Sequence, residues 1–507
     1  MGTNGVRALF DELDAKAAMD LGFGFSQFMK KEKEKKKARK KYSSSRPCAV
    51  LARDMRLTSP CLSQAAAAGL MEGGCDVLDA GILTAPGAEW AARHLQADGL
   101  IIVTASHNPP EWNALKFVDG SGIAVSRERG APIAAYVGRP RPPALAWQQL
   151  GKLQSVPDII PAYQSAILKF ANRRLLSRHA SKLKIIADPG NGTAALTAPA
   201  LFKALGVKTK FIHAELDGRF PNRPSEPAKA NLGSLIEAMA SGSASFGVAW
   251  DGDADRVTFV DNEGRWLSGD IGVALSARWA LMQAGYPKKS QARSSPRSKK
   301  GGAGRSKPFP LSRRPIIVTT SATSRVVEAV AKEHGARVEY TDVGAPYLSE
   351  RMAALAPRVI SGGEEVGGIV WPSFSLAKDG VLASVKLLEM ASLKPISEWA
   401  DELPKFYTCK LKVECPPEKN KELAALVQSE IARELSSARP AHSALRPLRG
   451  GFRLDLPGGW VLVRASGTEN QVRIFAESAT LEGAEELAKR YQSIVQKEMK
   501  QDNQWKN

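Results

Sequence analysis

Three short apolar runs, each ending in a polar turn, limit what this chain can fold into. They are Leu100-Ile101-Ile102-Val103 into Thr104-Ala105-Ser106, Lys184-Ile185-Ile186-Ala187 into Asp188-Pro189-Gly190-Asn191, and Ile316-Ile317-Val318 into Thr319-Thr320-Ser321. A strand that is apolar without alternation is covered on both faces, as in a parallel sheet. Stretches with helical spacing lie between such runs, 63–72 and 324–334 among them. Strands alternating with helices predict α/β domains. The first and third runs share the pattern I-I-V-T-x-S, which suggests duplicated domains. A chain of 507 residues exceeds what one core supports and divides into several domains.

Charge marks where the folded parts end. The formal net charge is +19, but residues 30–46 hold a net +8 and residues 288–314 a net +10, so the remaining body is nearly neutral. A nucleic-acid-binding domain carries its basic excess on the folded surface; here, binding to nucleic acid is expected only weakly, through the two basic segments. Segment 288–314 is rich in Ser, Gly, Pro, Lys and Arg and reads as a disordered linker. Residues 29–41 read as the charged, solvated end of a preceding helix. The expected division is 1–155 with a basic insertion at 30–46, then 156–287, the linker 288–314, 315–401, and 402–507. In the last segment 460–463 and 472–475 read as strands and 481–497 as a helix.

No apolar run reaches the roughly 18 residues of a membrane span, and the N-terminus lacks an apolar signal region. Met1-Gly2-Thr3-Asn4-Gly5-Val6 has Val where a myristoylation site needs Ser or Thr. Cys48, Cys61, Cys75, Cys409 and Cys415 are odd in number and include no C-x-x-C pair, which predicts free thiols and a cytoplasmic protein.

Four motifs carry chemistry. Thr104-Ala105-Ser106-His107-Asn108-Pro109-Pro110 places a hydroxyl nucleophile beside an imidazole at the end of a strand. It is not a G-x-S-x-G nucleophile elbow, since Thr104 and Asn108 replace the glycines. Asp251-Gly252-Asp253-Ala254-Asp255-Arg256 offers three carboxylates, a set that suits a hard divalent cation such as Mg²⁺. An EF-hand requires Gly and Glu where Arg256 and Asn262 stand. A phosphatase with an aspartate nucleophile is the better competitor, opposed by the third acid and the separate serine. Gly362-Gly363-Glu364-Glu365-Val366-Gly367-Gly368 is a glycine-rich loop whose carboxylates can accept bonds from sugar hydroxyls. Arg464-Ala465-Ser466-Gly467-Thr468-Glu469-Asn470, with Arg473 close behind, makes an anion cradle.

In this order the four motifs resemble the α-D-phosphohexomutase family, which includes phosphoglucomutases, phosphomannomutases and phosphoglucosamine mutases. Gly2-Thr3-Asn4-Gly5-Val6-Arg7, Ala52-Arg53-Asp54-Met55-Arg56, Asp217-Gly218-Arg219-Phe220-Pro221 and Glu226-Pro227 match further family segments. The resemblance spans nearly the whole chain outside the basic segments. It implies an α/β, four-domain architecture: three similar α/β domains and a C-terminal α+β domain around a central cleft. The chain opens directly on its first motif, which predicts that a few residues before Met1 are missing from it.

The resemblance also implies roles. Ser106 would carry a phosphoryl group, and Mg²⁺ would be held by Ser106, Asp251, Asp253 and Asp255. Lys116, with His107 and Arg256 assisting, would move protons at the reacting hydroxyl; a lysine base requires a lowered pKa, expected here from Arg256 or the metal. Arg7 and Glu364 would bind the sugar phosphate, and Arg464, Ser466, Gly467, Thr468 and Arg473 would hold its non-reacting phosphate. Hexose 6-phosphate and hexose 1-phosphate would interconvert through a hexose 1,6-bisphosphate, which also serves as activator. Ala8, Ala114, Ala465, Asn470 and Gly368 depart from the usual pattern, and the Gly367-Gly368 ending resembles archaeal members. The opening motif resembles phosphoglucosamine mutases, with a broad phosphomannomutase/phosphoglucomutase as the alternative. Outside the family, the alternatives are a metal-dependent phosphatase and a nucleic-acid-associated protein.

Overall fold

The computed structural model describes residues 5–38, 46–240, 242, 244–286, 288, 314–416, 422–429, 431, 443–466 and 470–501. Almost all of the linker expected at 288–314 lies outside the described residues, as do Gly467 and Thr468 of the anion loop and the opening residues 1–4. Among the described residues no helix is long and apolar enough to cross a membrane.

The apolar runs are strands, as their continuous hydrophobicity requires. Gly99–Val103, Lys184–Asp188 and Ile316–Thr320 lie inside three different sheets. Each sheet repeats one four-strand plan. In the first, Trp112–Asp119, Gly99–Val103, Cys48–Arg53 and Asp76–Ile82 lie side by side. In the second the order is Val257–Val260, Phe246–Trp250, Lys184–Asp188, Lys208–Phe211, and in the third Gly368–Val370, Val359–Glu364, Ile316–Thr320, Arg337–Thr341. The last three strands of each set are parallel, and the first turns back antiparallel as a hairpin.

Duplication is therefore real, but I-I-V-T-x-S does not mark it. Gly99–Val103 is the third strand of its plan in chain order and Ile316–Thr320 the first. The true counterparts of Gly99–Val103 are Phe246–Trp250 and Val359–Glu364. The shared letters report only that both strands are buried on two faces.

The fourth unit is a five-stranded antiparallel sheet, Tyr407–Glu414, Gln471–Ser478, Gly459–Ala465, Gly451–Leu456 and Ala444–Leu448. The helix Leu481–Gln501 covers it through Ala488, Tyr491 and Val495. The basic stretch after residue 29 continues the helix Ala15–Ala38. It is not wholly solvated: Met29 is buried, and the Lys33 ammonium lies 2.8 Å from Asp98.

The helix Gly269–Gln283 follows the second sheet in sequence but ties it to the third. Its Val273 and Leu281 share one apolar cluster with Phe246 and Trp250 on one side and Ile317, Val327 and Ile369 on the other. In its first turn, Asp270 accepts a bond from the Ser324 amide at 2.8 Å. Burial pushes the Asp270 carboxyl up to about 7. The folded state therefore holds a proton that the unfolded chain releases near pH 4, and this group lowers stability as pH rises from about 4 to about 7. Asp270→Asn keeps an acceptor for Ser324 and removes the titration. It is expected to raise the unfolding midpoint at pH 8, by a stability on the order of 1 kcal/mol, and to change little at pH 4. Thermal melts at the two pH values read this directly.

The fourth unit meets its neighbours in two unlike ways. Toward the third, the fully buried Arg453 donates to the carbonyls of Ser321 and Thr323 at 2.8 and 3.2 Å, and its guanidinium lies 4.2 Å from the Trp460 ring centroid. Toward the first, the unit makes the half-exposed ion pair of Arg449 with Glu128. Arg449 also lies 3.5 Å from Asp342, and Arg129 lies 3.8 Å from Glu350.

Candidate active site

The repeated plan explains why the motifs meet. In each of the three α/β units the motif is the tip of the same hairpin, between the third strand and its antiparallel partner. Ser106 stands between Gly99–Val103 and Trp112–Asp119, the aspartates between Phe246–Trp250 and Val257–Val260, and the glycine-rich loop between Val359–Glu364 and Gly368–Val370.

Ser106 sits in the left-handed region, with φ of 55°, and is buried. Its Oγ donates to Asp251 Oδ2 at 2.6 Å. Its amide donates to Thr104 Oγ1 at 3.0 Å, and Thr104 in turn reaches Asp253 at 3.2 Å. Behind the loop, Arg56 donates to the carbonyls of Ser106 (2.9 Å), Asn108 (2.7 Å) and Trp112 (3.2 Å), and to that of Pro109. Asp54 holds the Arg56 Nε at 3.1 Å. Ser225 joins the two loops: its hydroxyl donates to the Ser106 carbonyl at 3.0 Å and accepts from the Gly252 amide at 2.9 Å. A Cβ on Gly252 would lie 2.9 Å from the Ser106 carbonyl oxygen, so this approach of the aspartate loop to the serine loop requires glycine.

Asp251, Asp253 and Asp255 are all buried and bring ligand oxygens within 4.8 Å of one another. Asp253 Oδ1 and Asp255 Oδ1 have no hydrogen-bond partner among the described residues. Buried acceptors without donors are costly, and an oxygen-only set of this kind suits a hard divalent cation. Burial, then the neighbouring aspartates, pushes the Asp251 carboxyl up. Burial also opposes ionisation of Asp255, but Lys378, Lys116 and Arg256 outweigh it and hold that carboxyl well below the usual range.

Lys116 Nζ lies 2.6 Å from Asp253 and 3.4 Å from Asp255. The lowering of its pKa expected from Arg256 is not found here. Burial acts downward, but Asp253 and Asp255 outweigh it and hold the ammonium above its ordinary range. Arg256, expected to depress it, is engaged elsewhere: it grips Glu226 at 2.6 and 2.8 Å. His107 lies 3.5 Å from Ser106 Oγ and 3.7 Å from Glu226. Burial, with Arg256 and Arg7 nearby, drives its pKa down, so the imidazole is neutral. Arg7 donates to Asn108 Oδ1 at 2.7 Å.

The remaining expected residues divide between the surroundings of Asp255 and two adjoining cavities. Glu364 lies near Lys378, whose Nζ is 3.9 Å from Glu364 and 3.2 Å from Asp255. A Cβ on Gly368 would lie 2.4 Å from Lys378 Cδ, so the glycine makes room for the lysine stem. Arg464 and Arg473 are register partners on adjacent strands. Both line a cavity of ≈ 290 Å³ together with His107, Glu226, Arg256 and Glu365. Ser466 lines an adjoining cavity of ≈ 450 Å³ that Arg464 shares.

Three residues have no assigned role in the sequence reading: Arg56, Ser225 and Lys378. Arg56 falls inside a quoted motif, and Lys378 precedes the helix Gly380–Ala391, but their partners lie too far along the chain for spacing to reveal.

Family descriptions cover most of the chain. Phosphoglucomutase/phosphomannomutase α/β/α domains I, II and III match residues 1–141, 161–264 and 306–407, and the C-terminal domain matches 410–492. The chain belongs to the phosphoglucomutase/phosphomannomutase family. This phosphohexomutase is 34% identical over 488 residues to a phosphoglucomutase/phosphomannomutase of Thermococcus kodakarensis, covering 96% of each chain. It is 30% identical over 497 residues to a probable phosphoglucosamine mutase of Methanothermobacter thermautotrophicus, covering 98% of this chain and 97% of the relative. Its fold matches the crystal structure of a family protein from Burkholderia thailandensis with a TM-score of 0.76 at 23% identity, over 98% of this chain and 96% of the other.

Proposed function

We propose that this mutase interconverts the 6- and 1-phosphates of glucosamine, with Ser106 as phosphoryl carrier. The observation that carries the carrier role is the Ser106 hydroxyl, 2.6 Å from a carboxylate in a buried aspartate triad. The phosphorylated Ser106 gives its phosphoryl group to the free hydroxyl of the bound hexose phosphate, and that hydroxyl loses its proton. The resulting hexose bisphosphate turns end over end and returns its other phosphoryl group to Ser106, leaving the isomer. Held by Asp251, Asp253 and Asp255, Mg²⁺ would neutralise charge on the transferred group.

Neutral His107 is placed to take the hydroxyl's proton and return it to Ser106 Oγ as the phosphoryl group leaves; Lys116, an ammonium, can act there only as an acid, and Arg256 is placed to face the transferred group. Glu364 accepts from sugar hydroxyls. Arg7, Arg464 and Arg473, with Ser466, Gly467 and Thr468, bind the substrate phosphates. Arg464→Ala removes a charge-assisted bond, expected to lower kcat/KM about 10- to 150-fold. The loss should be similar in both directions, because one clamp serves both orientations. A loss confined to one direction would refute the shared clamp.

The choice of glucosamine rests on the resemblance of the opening motif and on relatives such as that of Methanothermobacter. A second reading, mannose and glucose phosphates, is favoured by the name of the Thermococcus relative. A panel of the 1- and 6-phosphates of glucose, mannose, glucosamine and N-acetylglucosamine separates them by kcat/KM. Release of inorganic phosphate in place of an isomer would defeat both.

A further inference from the structure

We propose that Glu365 is a specificity-determining residue that recognises a positively charged amino group on the sugar. The inference rests on reading the ≈ 290 Å³ cavity as the sugar-phosphate site. Two adjacent carboxylates sit at the tip of the third hairpin, and they face different surroundings. Glu364 turns toward Lys378, on the Asp255 side. Glu365 lines the cavity itself, and Glu364 does not.

The cavity has two chemical characters. Arg256, Lys410, Arg464 and Arg473 give it a cationic wall, which suits a phosphate. Two carboxylates line the same space: Glu226 is paired with Arg256 at 2.6 and 2.8 Å, while Glu365 supplies a negative charge outside any such pair, and a carboxylate repels a phosphate. Glu365 is 9% exposed, and its only hydrogen bond among the described residues is from the neutral Thr320 hydroxyl at 2.9 Å. No Lys, Arg or His among the described residues lies within ion-pair distance of it. A carboxylate accepts about four bonds and donates none when ionised. Taken out of water with one neutral donor, it is stabilised most by a cationic donor. Beside it Val366, also on the cavity wall, offers neither donor nor acceptor to a hydroxyl. An ammonium on the sugar ring of a ligand that also carries a phosphate meets both requirements. The ligand class is an amino-hexose phosphate, which carries both charges.

The test is the full-length protein and its E365Q variant, titrated by calorimetry with three ligands: glucosamine 6-phosphate, glucose 6-phosphate and N-acetylglucosamine 6-phosphate. Glutamine keeps the shape and an acceptor for Thr320 while removing the charge. The expected result is that the ratio of Kd for glucosamine 6-phosphate to Kd for glucose 6-phosphate rises about 10- to 100-fold in E365Q, the range for loss of a charge-assisted bond. The neutral N-acetyl ligand should follow glucose 6-phosphate. A ratio that moves by less than about twofold overturns the proposal, because a uniform loss means hydroxyl or structural binding. Binding constants keep this result separate from the substrate assignment. A wild-type enzyme that binds glucosamine 6-phosphate through Glu365 but turns over only glucose or mannose phosphates would refute the proposed substrate and leave this inference standing.

Discussion

Ser106→Ala is expected to yield a folded protein with less than about one-thousandth of wild-type mutase turnover, since a covalent carrier has no substitute within the cleft. Intact-mass analysis should find one phosphate on the wild type and none at this position in the variant. Ser106→Gly sharpens the test. The residue holds φ of 55°, a conformation that glycine adopts freely and alanine does not. Ser106→Gly should therefore be as inactive as Ser106→Ala but more stable than it, by roughly 0.5–1 kcal/mol. A Ser106→Ala protein with near-normal turnover would remove Ser106 as carrier. A Ser106→Gly protein less stable than Ser106→Ala would mean that the loop's strain lies elsewhere.

The legibility of this site in the sequence follows from where each interaction is encoded. Residues 100–103, 184–187 and 316–318 are strands because two-sided burial leaves its mark in consecutive side chains. The three hairpin tips and Arg464 were found because each keeps its chemistry within a few neighbouring residues. Ser225 was not, because its hydroxyl serves a carbonyl 119 positions away. Arg56 likewise acts on carbonyls about 50 positions downstream. The influence of Arg256 on Lys116 was misjudged for a related reason. Its charge is set by Asp253 and Asp255 from another unit, while the neighbour expected to depress it is neutralised by Glu226. The matched letters I-I-V-T-x-S misled because burial is a local property and strand order is not.

Asp253→Asn is the second variant expected to be severe. Asp253 Oδ2 already receives Thr104 and Lys116, while its Oδ1 is buried without a partner, so the residue lies between the nucleophile loop and the candidate cation site. The change keeps its shape and removes its charge. Magnesium affinity, measured by calorimetry on the protein without substrate, should fall by at least about tenfold, and turnover by about a hundredfold or more. Chelation of the wild type should abolish turnover, and added magnesium should restore it. An Asp253→Asn protein that binds magnesium as the wild type does would move the metal site off this loop. Lys116→Met offers a second reading of the same pocket. Removing the ammonium should tighten magnesium binding while turnover falls, because Lys116 and a divalent ion compete for Asp253.

The unlike contacts of the C-terminal unit give the cleft a hinge and a latch. On the hinge side, Arg453 is sunk in the interface, held by carbonyls, an indole face and the Asp455 carboxylate at 3.1 Å. On the latch side, Arg449 and Glu128 are each more than half exposed, and pairs of that kind are worth about 0–1 kcal/mol. Dissolved salt screens the latch within a Debye length of roughly 8 Å at physiological ionic strength and leaves the hinge untouched. The two sides of this unit therefore answer differently to salt: ionic strength weakens the Arg449–Glu128 pair and spares the buried Arg453 contacts. The end-over-end turn proposed for the ligand would be eased by a tie that weak.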